Sequence, residues 1–132
     1  MKSDLIESIK LHEGFRSKPY PDPLHGWDVP TFGHGLTYLT DSESEMIVRN
    51  RVDSIVEQLG MRKPVFKTLT EQRQNALIEM AYQLGVSGLL RFKKMWAAIE
   101  QGDFELAREE ALDSRWAKQT PSRAISVSEG IL

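Results

Sequence analysis

The sequence has no cysteine, which excludes disulfide scaffolds, thiolate zinc sites and cysteine nucleophiles. It also has no apolar run near the roughly 18 residues needed to cross a bilayer. Neither sign of charge dominates: 17 basic residues stand against 19 acidic ones, a formal net charge of −2, and a domain that holds nucleic acid mainly through charge is usually clearly basic. Internal repeats and low-complexity tracts are missing. Hydrophobic residues make up 40% and charged residues 27%, which excludes wholesale disorder and fibrous architectures. The first ten residues are amphipathic and carry Asp4 and Glu7, unlike a secretory signal with its apolar centre. The expectation is a protein made in a cytoplasm, with no stable membrane association. The 132 residues fit one domain of two lobes, long enough to bury a real core.

Helical spacing of Leu5, Ile6 and Ile9 predicts a helix over 4–13, with Asp4 as cap and Gly14 as stop. From Phe15 to Leu39 the texture changes to four prolines, three glycines and short aromatic or β-branched stretches, which predicts turns and a small hairpin sheet. Everything after is helical. Thr40-Asp41-Ser42-Glu43 is a capping box, and Ile47, Val48, Val52, Ile55, Val56 and Leu59 follow at helical spacing up to Gly60. Thr70 caps a helix with Ala76, Leu77, Met80, Ala81 and Leu84 on its apolar face, ended by Gly85. Leu89 to Ile99 reads as the next helix, Asp103 starts another, and Pro121 suits the first turn of a short last one. The pattern is α+β, with the sheet confined to one lobe.

Three polar residues stand out in the irregular stretch. Glu13 closes a helix, where unpaired carbonyls disfavour a carboxylate and so favour the protonated acid. Asp22 lies between Pro21 and Pro23 in a stiff segment that holds its carboxyl group in place. Thr31 precedes Gly33 and Gly35, where a hydroxyl beside a bare backbone can position a water and admit a flat ligand. Two carboxyl groups, one donating a proton and one acting as base or nucleophile, are what a glycosidase uses. Taken singly, Glu13 reads more readily as a surface glutamate, Asp22 as a turn aspartate and Thr31 as a strand threonine.

Together the residues carry more. The order Glu13-Gly14, Tyr20-x-Asp22, Thr31-x-Gly33-x-Gly35 resembles the phage-type lysozymes, the endolysin muramidases of T-even and related phages. Ala76-Leu77-Ile78 through Tyr82-Gln83-Leu84-Gly85 resembles that family's central helix. Ser114-Arg115-Trp116 followed by Gln119-Thr120-Pro121-Ser122-Arg123-Ala124 resembles its C-terminal signature. The likeness runs from about Leu5 to Ala124. It implies a lysozyme-like fold: a hairpin lobe over about 14–40, a connecting helix over about 41–60, and a helical lobe of about 61–132 with the 4–13 helix, the cleft lying between the lobes. It implies cleavage of the β-1,4 bond between N-acetylmuramic acid and N-acetylglucosamine in peptidoglycan. Glu13 would be the general acid, Asp22 the carboxylate steering the attacking water, and Thr31 the hydroxyl holding that water. Arg123 would approach the glutamate, and Gly35, Tyr82 and Gln83 would line the sugar cleft. No cofactor and no metal are implied. The expected protein is a monomer in the cytoplasm of the phage's bacterial host, reaching the cell wall through a holin or another release route. A virion-carried enzyme of the same fold and a non-catalytic wall-binding domain are the alternatives.

The chain also departs from the family pattern. The loop from Pro23 to Pro30 is longer than usual. Leu36 stands where the family often has histidine, and His34 lies between the two glycines. Glu79 replaces a usually uncharged residue and is either an extra cleft carboxylate or, the favoured reading, merely exposed. His12, His25 and His34 match no familiar zinc spacing. The Leu69–Ser87 stretch imitates a helix-turn-helix, but the acidic helix that follows leaves its basic patch local, so a core helix is the simpler reading. Trp96 and Trp116 are expected in the core. For Trp27, exposure near the cleft and packing remain equally open.

Overall fold

The computed structural model describes residues 2–132. In chain order the elements are α1 (Lys2–Glu13), β1 (Arg16–Asp22), β2 (Gly26–Gly33), α2 (Asp41–Arg62), a 3-10 turn (Pro64–Thr68), α3 (Glu71–Leu84), α4 (Val86–Leu90), α5 (Lys93–Glu100), α6 (Phe104–Leu112), α7 (Arg115–Gln119) and α8 (Pro121–Glu129). The expected α+β architecture is present: β1 and β2 form an antiparallel hairpin and the rest of the regular structure is helical. The chain divides into two compact units, Met1–Met46 and Ile47–Leu132, and the boundary falls inside α2.

The first unit holds α1 and the hairpin. Helix α1 begins at Lys2, before the expected cap, so Asp4 lies in its first turn, where a carboxylate suits the positive helix end. Leu5, Ile6 and Ile9 form its apolar face, and all three are exposed. In the hairpin Tyr20 pairs with Thr31 and Pro21 with Pro30. The register then jumps, so that Asp22 pairs with Gly26. The jump absorbs the long loop that proline content alone does not locate.

The second unit is a helical cluster with a continuous apolar core that includes Leu59, Leu77, Met80, Leu89, Trp96 and Ile131. Fully burying one large apolar side chain stabilises a fold by about 1.5–3 kcal/mol. The expected caps are in place. Thr40 and Glu43 bond reciprocally at 3.0 and 3.2 Å, Thr70 accepts from the Arg73 amide at 3.3 Å, and Asp103 accepts from the Leu106 amide at 3.1 Å.

Two expected boundaries are corrected. Helix α2 does not stop at Gly60 but runs on to Arg62. Gly60 is buried inside it and does not end the helix; a Cβ there would stand 2.9 Å from Lys67 Cε, the mobile end of a side chain that can move aside. The helix expected over Leu89–Ile99 is broken in two. The Leu89 carbonyl, which an unbroken helix would offer to the Lys93 amide, accepts instead from the Trp96 indole at 3.0 Å and the Phe92 amide at 3.1 Å. The Lys93 amide turns to the Arg91 carbonyl at 2.8 Å. A buried indole N–H must find an acceptor, and here it takes one from the backbone ladder. Ser114-Arg115-Trp116 also starts a short helix of its own, α7, with Ser114 accepting from the Ala117 amide at 3.2 Å.

Candidate functional site

The first unit builds one corner around Glu13. Helix α1 ends there, and Gly14 follows with φ +69°, its amide reaching the Lys10 carbonyl at 2.9 Å. This left-handed residue turns the chain from helix to strand, as expected of a glycine in that place. Farther along, Gly33-His34-Gly35 forms a tight turn closed by Phe32 and Leu36, which exchange two amide–carbonyl bonds of 2.8 Å. Both glycines have positive φ, +57° and +71°. The turn brings Gly35 against Glu13: a Cβ built on Gly35 would stand 2.8 Å from the glutamate's carboxyl carbon and closer still to Oε2. The Glu13 carboxyl group therefore rests on bare backbone. His34 packs on Phe15 with ring centroids 5.2 Å apart, pinning the turn to the segment just after Glu13. Sequence reasoning left His34 without a role. Its place between two turn glycines, opposite an aromatic two residues after the glutamate, was the available signal.

Asp22 closes β1. Its Oδ2 accepts from the Leu24 amide at 2.8 Å and the His25 amide at 2.9 Å. Pro23 supplies no N–H and presets its own φ, so the turn folds back on the carboxylate. These bonds, His25 first and Leu24 second, lower the Asp22 pKa below the ordinary 3.8 because they favour the charged form. Oδ1 has no hydrogen-bond partner among the described residues. Asp22 is thus a carboxylate with one oxygen anchored and one open, suited to accept a proton and not to donate one.

The folded pKa of Asp22 lies below the unfolded value. Its contribution to the turn is therefore present above pH 3.8 and lost as pH falls through the lowered folded pKa. An NMR titration should show the Leu24 and His25 amide signals moving with a midpoint under 3.8; a midpoint at or above it contradicts the anchoring.

Thr31, on β2, is 5% exposed, and its hydroxyl donates to the Val29 carbonyl at 3.3 Å. With its proton so used, the oxygen keeps lone pairs that can accept from a water. Its cross-strand partner Tyr20 shares its face of the hairpin. Glu13, Asp22, Thr31 and Gly35 all belong to the first unit.

The other expected site residues belong to the second unit. Tyr82 is exposed, not core, and lines a groove of about 360 Å³ with Arg51, Gln58 and Ser87. Gln83 accepts from the Trp116 indole at 2.9 Å and donates to the Thr120 hydroxyl at 3.5 Å, so its amide is oriented by α7. Arg123 stands exposed on α8, and Glu79 is exposed as expected. Trp96 and Trp116 are buried as expected. A separate cavity of about 540 Å³ has Phe92, Met95 and Trp116 in its walls and Arg91, Lys94 and Arg115 among its charged lining. Among the described residues no helix is long and apolar enough to cross a membrane.

A family model described as phage lysozyme matches residues 10–131. A 69-residue stretch, 52% of the chain, is 42% identical to the pre-baseplate central spike protein Gp5 of Enterobacteria phage T4 and covers 12% of that protein. Two Dictyostelium discoideum proteins, probable T4-type lysozymes 1 and 2, are 33% and 31% identical over 97 residues, 69% of the chain. The matched stretch covers 57% of the length of each.

Proposed function

The chain belongs to the phage lysozyme family, and from that premise we propose that it is a muramidase cleaving the β-1,4 bond between N-acetylmuramic acid and N-acetylglucosamine. The observation that carries this reading is the difference between its two carboxyl groups: Glu13 seated on Gly35, and Asp22 held as a carboxylate by two backbone amides. Glu13 protonates the leaving glycosidic oxygen. Water attacks the anomeric carbon, its proton passing to Asp22 Oδ1 while the Thr31 oxygen holds it in place. The C–O bond breaks and the glycan gains a new reducing end. Resemblance to the T-even enzymes implies inversion, which needs room for the water between carboxyl groups. Tyr82, Gln83, Gly35 and Arg123 take the role of substrate contacts, and the Gln83 amide is held by Trp116 and Thr120. No cofactor enters the reaction. The protein acts as a monomer, and a holin or other release route delivers it to the wall.

Purified peptidoglycan is the test substrate. Wild type should release muropeptides with reducing muramic acid, identified by mass spectrometry. Asp22→Asn should retain the turn, because the amide oxygen still accepts from Leu24 and His25, yet lower kcat about 100-fold by removing the base. Folded wild type that liberates no reducing ends at any pH ends the enzyme reading.

The likeness to a phage spike protein favours a second reading, a virion-carried enzyme that opens a local hole during infection. Mass spectrometry of purified particles separates the two: a lysis enzyme is absent from them, a virion enzyme present in stoichiometric amount.

A further inference from the structure

The first unit carries one tryptophan, Trp27, and its setting differs from that of the other two. Trp96 is 1% exposed and Trp116 is 3% exposed, and each indole N–H has an acceptor, the Leu89 carbonyl and the Gln83 amide oxygen. Trp27 is 63% exposed. It makes no ring contact and its indole N–H has no partner among the described residues. It sits in β2, one residue beyond Gly26, and Gly26 is the residue paired with Asp22. On the other side of the turn Leu24 is almost wholly exposed and gives its amide to Asp22. The segment that anchors the base carboxylate therefore also presents a large apolar ring to solvent.

The backbone here has little freedom to hide that ring. Pro21 and Pro23 fix φ before the turn, Pro30 fixes it after, and Gly26 takes φ +59° to close it. Asp22 fixes the amides of Leu24 and His25, and the Asp28 amide reaches the His25 carbonyl at 3.3 Å. Ring and carboxylate are thus carried by the same constrained turn. An exposed tryptophan on a rigid segment is the kind of group that dominates a recognition surface, because its area is large and little side-chain entropy is lost on binding.

We propose that Trp27 is a stacking platform for an N-acetylhexosamine ring of the glycan strand, next to the ring whose bond is cleaved. The inference rests on the muramidase reading. A pyranose ring has an apolar C–H face that an indole face covers. Its equatorial hydroxyl and acetamido oxygens accept hydrogen bonds, which suits the unpartnered indole N–H. Trp27 is accordingly a specificity residue that touches substrate away from the reacting atoms. Its contact is made in ground state and transition state alike, so its loss appears in KM and not in kcat.

The experiment has two parts. On purified peptidoglycan, Trp27→Ala should raise KM about tenfold with kcat reduced less than about twofold, and Trp27→Phe should recover most of the loss. In parallel, glycan strands stripped of their peptides are added to Glu13→Gln, and quenching of tryptophan fluorescence by acrylamide is followed. Trp27 is the accessible tryptophan, so bound glycan should shield it and blue-shift the emission; Trp27→Phe should abolish both changes. An unaltered KM for Trp27→Ala in an enzyme that still releases reducing ends overturns the proposal and leaves the muramidase reading intact. So does a blue shift with phospholipid vesicles and none with glycan. Should Trp27→Ala fail to fold, Trp27→Phe and the quenching measurement decide the matter. Absence of cleavage by wild type strikes the underlying reading instead.

Discussion

Glu13→Gln should abolish muramidase activity, lowering kcat by at least about 1000-fold, while leaving the fold unchanged. Glutamine has the same shape and can rest on Gly35 as the glutamate does, but it has no acidic proton for the leaving oxygen. Glu13 is exposed, so the exchange should alter stability by less than about 0.5 kcal/mol. Release of reducing ends, with circular dichroism and thermal unfolding as controls, reads the result. A folded Glu13→Gln that keeps more than about a tenth of wild-type turnover removes Glu13 as the acid, since removing positioned acid catalysis typically costs 100-fold or more.

Gly35→Ala should be nearly as damaging, for a different reason. The alanine Cβ would meet the Glu13 carboxyl group at 2.8 Å from its carbon, and a residue at φ +71° is strained whatever its surroundings. The backbone term costs about 1–3 kcal/mol of stability. The carboxyl group must also move, and a displacement of about 1 Å in a catalytic group can cost about 100-fold in rate. Gly33→Ala separates the two effects. Gly33 also has positive φ, but its nearest neighbour would be Leu36 Cδ1 at 3.4 Å, an ordinary contact. Both variants should lose comparable stability in urea unfolding, and Gly35→Ala alone should lose about 100-fold in kcat/KM. Equal activity losses would mean that the Gly35–Glu13 contact has no catalytic consequence.

Where local chemistry decided the structure, it was legible. The Thr40–Glu43 box, the Thr70 and Asp103 caps, the Gly14 stop and the helix after Pro121 all depend on groups within four residues of one another, and each formed as expected. Where a distant side chain competes for a backbone group, the pattern misleads. Nothing in the spacing of Leu89 to Ile99 says that the Trp96 indole takes the Leu89 carbonyl and splits the helix. Nothing around Gly60 says that the helix runs on through it to Arg62.

The candidate site divides along the same line. Residue types and their order singled out the two carboxyl groups, the threonine and the glycines as candidates and carried the family likeness, because site chemistry needs certain side chains and turns need certain backbones. The folded chain shows how differently the two carboxyl groups are set. One Asp22 oxygen accepts from two amides of the turn that follows it, and the other has no partner among the described residues. Gly35 supports Glu13 because the Phe32–Leu36 bridge turns the chain so that Gly35, 22 residues farther along, meets the end of α1. The Asp22 bonds are local, made to amides two and three residues farther on, whereas the approach of Gly35 to Glu13 joins residues remote in sequence. That second geometry follows from how the Phe32–Leu36 turn closes, and no local spacing encodes it.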